Sequence, residues 1–255
     1  MDEKYNSTNG LKLALTTIGD LLLNRKISRN ADNQAIENIT LKIPNYQRPY
    51  KWTPKNAIQL LDDIQNARSE NKEVYRVGTL ILHHTIEDEN DVYNIVDGQQ
   101  RTITFCLLLS ALKNDVDIPF QSEKLSGDIH NLLNVKENFR AYERRINAIK
   151  DDREKEHLLK YIIEQCELIV VITQDISEAF QFFDSQNSRG KKLYPHDLLK
   201  AYHLREMSDV SEAETEKVVK NWENIDQRQL ASLFADYLYR VREWMKGNKA
   251  WELNE

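Results

Sequence analysis

The chain has 255 residues, of which 40% are hydrophobic and 30% are charged, and its formal net charge is −6 at pH 7. This length allows one large domain or two modest ones, and so many apolar residues exclude a disordered chain. A net acidic composition also argues against a protein that coats DNA along its length.

Membrane and redox context follow from the apolar runs and the cysteines. No apolar run approaches the roughly 18 residues that a membrane span needs, and the polar N-terminus does not resemble a signal peptide. Cys106 and Cys166 each lie alone in an apolar stretch, without the close pairing typical of metal sites. We therefore expect a cytoplasmic protein with reduced cysteines and no membrane association.

The first 120 residues alternate between extended and helical patterns. The predicted order is strand, helix, strand, strand, helix, at residues 38–43, 54–67, 74–82, 92–96 and 101–113. Pro54 suits the first turn of the first helix, and the polar loop between the second and third strands indicates a hairpin. The last helix is apolar nearly all round, which predicts that it is buried.

Beyond residue 120 the patterns are mostly helical. Apolar residues from Leu132 to Ile149 keep the spacing of one helical face, residues 168–173 predict one more strand, and a final apolar stripe ends near Gly247. We therefore predict an α+β protein with two domains. A small mixed-sheet unit occupies residues 1–120, and a mainly helical domain, which includes the segment FFDSQNSRGKKL, occupies residues 121–255.

Positive charge is concentrated in two segments. Residues 41–52 contain three cations and no acid, and residues 186–205 contain five cations and one acid. Such local patches on an acidic body favour a compact anionic ligand over a long polyanion. Solvated surface charge, with no ligand, explains the same pattern equally well.

A short polar turn, Asp97-Gly98-Gln99-Gln100-Arg101-Thr102, joins a predicted strand to the buried helix. Backbone N–H groups at a helix start lack intrahelical partners, and with the helix dipole they favour a phosphate or a carboxylate. Glycine, of which the chain has only seven, lets the backbone approach an anion, and arginine can bind it with two hydrogen bonds. The alternative is structural: Asp97 caps the helix and Arg101 pairs with an acid.

Two further blocks accompany this turn. Ile43-Pro44-Asn45-Tyr46-Gln47-Arg48-Pro49-Tyr50-Lys51-Trp52 precedes it, and residues 183–187, Arg189, Gly190, Leu193 and 197–200 follow it. The three blocks in this order resemble the N-terminal domain of GmrSD-type modification-dependent restriction enzymes and of SspE. The strand, turn and helix around Gly98 also resemble the ParB/sulfiredoxin nucleotide-binding arrangement.

The resemblance implies that the chain binds and hydrolyses a nucleoside triphosphate, and that this activity regulates or powers restriction of modified or phage DNA. Asp97 is the expected catalytic residue, holding metal or water, and Mg²⁺ is the expected cofactor because triphosphate hydrolysis needs charge neutralisation. The expected phosphate-binding residues are Arg48, Gly98, Gln99, Gln100, Arg101, Thr102, Asn187 and Arg189.

The relatives also carry a His-Asn-His nuclease domain, whose motif we do not find in this sequence. We therefore expect such a nuclease as a further domain or as a partner subunit. DNA would be contacted through the complete protein or complex, and this chain alone would not cut DNA.

The first block carries a second hypothesis. Its prolines keep the backbone extended, and its aromatic residues alternate with cations, a pattern that suits base stacking or DNA sensing by Tyr46, Gln47 and Tyr50. Inward packing of the aromatic rings is an equal alternative. The rival function is accordingly a non-enzymatic sensor of modified DNA within a restriction complex.

The three blocks lie far apart in the sequence, yet each combines cations or amides with a turn residue. Clustered cations repel one another unless an anion neutralises them. We therefore predict one shared pocket, in which Arg48, Asn187 and Arg189 face the turn at Gly98 and a phosphate binds.

Overall fold

The computed structural model describes residues 11–30, 32–44, 47, 50–113, 129–176, 178–179, 182, 214, 217–218, 221–222 and 225–247. The chain divides into two units. The first comprises Met1–Pro44 and Pro49–Phe183, and the second comprises Asn45–Arg48 and Asp184–Glu255.

A six-stranded mixed sheet forms the centre of the first unit. Its strands are β1 (Lys12–Thr17), β2 (Arg29–Asn30), β3 (Thr40–Lys42), β4 (Tyr75–Glu87), β5 (Asn90–Asp97) and β6 (Cys166–Thr173), in the spatial order β2-β1-β6-β4-β5-β3. The pairs β4–β6 and β3–β5 are parallel, and the other neighbours are antiparallel. With the helices described next, this sheet confirms the predicted α+β class.

Within the described residues, five helices accompany this sheet in the first unit: α1 (Ile18–Leu22), α2 (Pro54–Ser69), α3 (Gln99–Leu112), α4 (Ile129–Asn147) and α5 (Asp152–Gln165). Successive strand residues serve two cores, because side chains alternate across a sheet. Leu80 and Leu82 join the helices in the main core, whereas Ile81 joins a small cluster on the opposite face, with Val96, Val171 and Ala179. α3 is buried nearly all round, as its composition predicts.

The hairpin is longer than its predicted strands. β4 and β5 continue through polar residues to a turn at Asp88 and Glu89, which both have positive φ angles, 48° and 64°. Two such residues match the twist of a two-residue hairpin turn. The polar residues next to the turn are half-buried or exposed, which is compatible with strand ends at the surface. The residues predicted as a loop therefore pair as part of the two strands.

The division of the chain differs from the predicted boundary at residue 120. β6 lies in the middle of the sheet, where its residues pair with β1 on one side and β4 on the other. α4 and α5 contribute Tyr142 and Leu158 to the same core. Parallel strands require a long crossover, and the connection from β4 to β6 runs through α4 and α5, which lie beyond residue 120.

The described residues of the second unit include a continuous helical stretch from Gln227 to Met245. α6 (Gln227–Ser232), a π-helical stretch (Leu233–Leu238) and α7 (Tyr239–Met245) follow one another, and the chain turns at Gly247, with φ 75°. The predicted final helix is thus present. No helix in the described part of the chain is long and apolar enough to cross a membrane.

A fragment of residues 1–120 tests the central position of β6. It lacks the strand that joins β1 to β4, so we expect no cooperative thermal unfolding when its far-UV circular dichroism is followed. Residues 1–183, which retain β6, should unfold cooperatively. A cooperative transition in the shorter fragment would contradict the shared core.

Candidate functional site: the Asp97–Arg101 turn

Sheet topology brings the end of the first block, Tyr50–Trp52, beside the turn. β3 and β5 are parallel neighbours, with Lys42 opposite Asn94, so the chain leaves both strands at the same edge of the sheet. At that edge Oε1 of Gln100 accepts hydrogen bonds from the backbone N–H groups of Lys51, at 2.7 Å, and Trp52, at 3.2 Å. The end of the first block is therefore fixed to the first turn of α3.

Gly98 is required by its packing against β4. It is the N-cap residue of α3 and has φ 94°, a conformation that L side chains rarely adopt. A Cβ at this position would lie 2.9 Å from Cδ1 of Leu80 and 3.1 Å from the carbonyl oxygen of Thr79. The glycine that the sequence associates with anion binding therefore also permits the strand-to-helix turn to approach β4.

Arg101 lies half-buried against the backbone of β4. Its Nη1 donates a hydrogen bond to the carbonyl oxygen of Thr79 at 3.1 Å. A Cβ on Gly78 would come within 2.5 Å of Nη1, and the φ of Gly78 is 133°. The register of β4 shifts between Arg76 and Gly78. Gly78 thus leaves the space that the guanidinium fills.

The surroundings of Arg101 disfavour its charge. Burial lowers the pKa of the guanidinium, and the negative charge of Asp97 and the hydroxyl of Tyr75 oppose that shift. Among the residues that the structure describes, no carboxylate forms an ion pair with Arg101. In this part of the chain, Asp97 is thus an acid whose charge acts on Arg101 without forming an ion pair with it. A partly dehydrated cation of this kind favours a bound anion.

The other predicted phosphate ligands of the turn are more enclosed. Gln99, Gln100 and Thr102 are only 6%, 9% and 3% exposed. The hydroxyl of Thr102 donates to the carbonyl oxygen of Gly98 at 3.0 Å, and Gln100 holds the first block. The Thr102 hydroxyl therefore uses its hydrogen within the first turn of α3, and the structure does not favour the predicted contact between this side chain and a phosphate.

Tyr50 lies in the core. It is 1% exposed, and its hydroxyl hydrogen-bonds to Thr104 Oγ1 and to Asn138 Nδ2, both at 2.7 Å. Burial raises the pKa of this hydroxyl. The structure thus places Tyr50 in the inward-packing alternative, where its ring has no open face for a base.

The other predicted site residues are Gln47, Asp97 and four residues outside the described ranges. Gln47 is described as a bend and belongs to the second unit. Tyr46, Arg48, Asn187 and Arg189 fall outside the described residues, so their share of the predicted pocket stays a prediction. Asp97 is half-buried at the end of β5. In the described ranges no group of three or more histidine, cysteine, aspartate or glutamate residues could hold a metal ion.

Sequence reasoning missed two residues that shape this site. Gly78 interrupts a β-branched stretch, and an isolated glycine in a strand is a signal of a bulge or of a close approach by another group. The isolated glycine in this strand could therefore have identified Gly78. Asn138 carries no such signal, since an asparagine within a helix is usually a surface residue; here it is 0% exposed.

Two family models match the chain. The model described as GmrSD restriction endonuclease, N-terminal domain, matches residues 23–204, which is more than half of the chain and includes all three blocks. A model of a family of unknown function, DUF7834, matches residues 214–255. No curated protein matches the chain.

Replacing Gly78 with alanine tests the position of Arg101. The added Cβ meets the guanidinium and adopts a strained φ, so we expect the free energy of unfolding to fall by about 1–3 kcal/mol in urea denaturation. In an Arg101→Ala background the steric part of this cost disappears, and the same substitution should cost less. Equal costs in both backgrounds would show that Arg101 does not lie against Gly78.

Proposed function

The chain belongs to the family of GmrSD restriction endonuclease N-terminal domains, and from this premise we propose that it binds and hydrolyses a nucleoside triphosphate at the Asp97–Arg101 turn. Family membership associates the chain with restriction systems. The triphosphate chemistry is our proposal, and it depends on the geometry of the turn.

One observation carries the proposal: the half-buried guanidinium of Arg101. It donates to one backbone carbonyl and forms no ion pair within the described residues. A guanidinium has five N–H donors, so most of its hydrogen-bonding capacity remains for a ligand. Phosphate oxygens match this donor geometry and neutralise the charge that burial disfavours.

The start of α3 adds a second attraction for phosphate. α3 has 14 residues, and its N-cap residue, Gly98, has no side chain that could accept hydrogen bonds from the first turn. The partial positive charge of a helix N-terminus favours an anion there. Arg101 is the third residue of this helix, so its side chain and the helix dipole act at the same end of α3.

Hydrolysis would use Asp97. In this reaction a water oxygen attacks the terminal phosphorus, the bond to the bridging oxygen of the second phosphate breaks, and orthophosphate, the nucleoside diphosphate and a proton are released. Asp97 ends β5 immediately before Gly98, so its carboxylate can orient the water or a metal ion. Mg²⁺ usually takes one or two protein carboxylates and the oxygens of the phosphates; a single carboxylate in the turn fits that requirement.

The partners follow from the same proposal. A His-Asn-His nuclease domain or subunit would act on DNA, and triphosphate binding or hydrolysis at the turn would control it. The alternative of a non-enzymatic sensor of modified DNA loses one of its aromatic candidates, because Tyr50 is enclosed. Thermal shift assays separate the two: stabilisation by a triphosphate supports the enzyme, and stabilisation by modified DNA alone supports the sensor.

Arg101→Ala should weaken triphosphate binding by roughly tenfold or more, because one charge-assisted contact contributes about 1.5–3 kcal/mol. Isothermal titration calorimetry with each of the four triphosphates and Mg²⁺ measures the effect. Arg145→Ala is the matched control, since Arg145 is an exposed arginine that pairs with Asp62 on the helical side of the unit. Unchanged affinity in a folded Arg101→Ala protein would refute the phosphate role.

Asp97→Asn should separate hydrolysis from binding. The amide keeps the size of the side chain but removes its charge, so orthophosphate release should slow by about 10²-fold or more. Triphosphate affinity should stay within a few-fold of the parent protein because Arg101 is retained. A variant that hydrolyses at the parental rate would show that Asp97 has no catalytic role.

A further inference from the structure

Side chains hold the backbone of Tyr50–Trp52 from two helices. On one side, Oε1 of Gln100 in α3 accepts the N–H groups of Lys51 and Trp52. On the other side, Asn134 and Asn138 in α4 donate from their Nδ2 atoms to the carbonyl oxygens of Tyr50, at 3.2 Å, and Trp52, at 2.8 Å. Four backbone groups in three residues are thus satisfied by side chains, outside any helix or strand.

A directed chain of hydrogen bonds connects the same two helices. Thr104 donates its hydroxyl hydrogen to the carbonyl oxygen of Gln100 at 2.7 Å, so its oxygen accepts from the hydroxyl of Tyr50. The Tyr50 oxygen in turn accepts from Nδ2 of Asn138. The order from donor to acceptor is Asn138, Tyr50, Thr104, Gln100. All three side chains that start it are buried, at 0%, 1% and 0% exposure, where hydrogen bonds in sequence reinforce one another.

We propose that Asn138 is a positioning residue for triphosphate binding, acting through Tyr50–Trp52 and Gln100. The inference rests on the proposed function. Both N–H groups of the Asn138 amide are used, one on Tyr50 and one on Trp52. Without them, the segment that Gln100 holds loses two of these three hydrogen bonds from α4, and the neighbour of the first turn of α3 is less firmly fixed.

Within this proposal, ordering of the Tyr50–Trp52 segment affects triphosphate binding through Lys51. Its side chain is exposed, whereas its N–H group is bound to the second residue of α3. The positioning network therefore fixes the backbone of an exposed lysine beside the first turn of the helix that carries Arg101. When a segment is ordered before binding, the complex does not bear the free-energy cost of ordering it.

The experiment compares Asn138→Ala with Tyr142→Phe. Tyr142 lies one helical turn further along α4, is 0% exposed, and donates its hydroxyl to the carbonyl oxygen of Ala57 at 2.8 Å. Both variants lose buried hydrogen bonds of α4, and both should lower the melting temperature. Only Asn138→Ala should weaken the calorimetric affinity for a triphosphate with Mg²⁺, by roughly tenfold.

Hydrogen–deuterium exchange of the Lys51 and Trp52 amides gives a readout that needs no nucleotide. Exchange of both amides should accelerate in Asn138→Ala and stay at the parental rate in Tyr142→Phe. If Asn138→Ala does not fold, Asn134→Ala, at a half-exposed position, removes one hydrogen bond and should show the same effects more weakly.

The outcomes distinguish the two proposals. A parent protein that binds no triphosphate, while Asn138→Ala accelerates exchange, overturns the proposed function and confines Asn138 to ordering the segment. Parental affinity in a folded Asn138→Ala, or equal affinity losses in both variants, overturns the positioning role and leaves the proposed function intact.

Discussion

The guanidinium of Arg101 and the glycine beneath it constrain this part of the protein. A cation that is half-buried over a strand needs space, and Gly78 supplies it by lacking a Cβ, at a point where β4 departs from regular register. It also needs compensation for lost hydration, of which the carbonyl of Thr79 provides one hydrogen bond. Under the proposed function, a bound phosphate supplies the rest of the compensation. The anion site that we propose follows from placing an arginine where the described residues use only part of its hydrogen-bonding capacity.

Topology determines what surrounds that cation. The parallel pairing of β3 and β5 directs two chain segments to one edge of the sheet, and Gln100 joins them through the N–H groups of Lys51 and Trp52. β6 completes the sheet and holds β4 in place, although more than sixty residues separate it from β5 in the chain. The site is therefore built from a helix start and a loop, on strands that are themselves fixed in the core.

Much of this architecture could be predicted from the sequence, because local patterns carry it. Pro54 begins α2 as expected, and the apolar composition of α3 predicts its burial. β1 was not predicted because its apolar residues do not alternate as those of a half-buried strand usually do. Ala14 is buried, whereas the larger Leu13 is 53% exposed. The roles within the turn were harder still. A glutamine in this turn is predicted to donate to a ligand. Its tertiary contacts show instead that Oε1 of Gln100 accepts a hydrogen bond from the backbone N–H of Lys51.

The most direct test of the account is a crystal structure of the chain with a non-hydrolysable triphosphate analogue and Mg²⁺. The account predicts phosphate oxygens within hydrogen-bonding distance, about 2.7–3.2 Å, of the Arg101 guanidinium and of the N–H groups at the start of α3. A triphosphate bound elsewhere, with Arg101 still bonded only to Thr79, would contradict it.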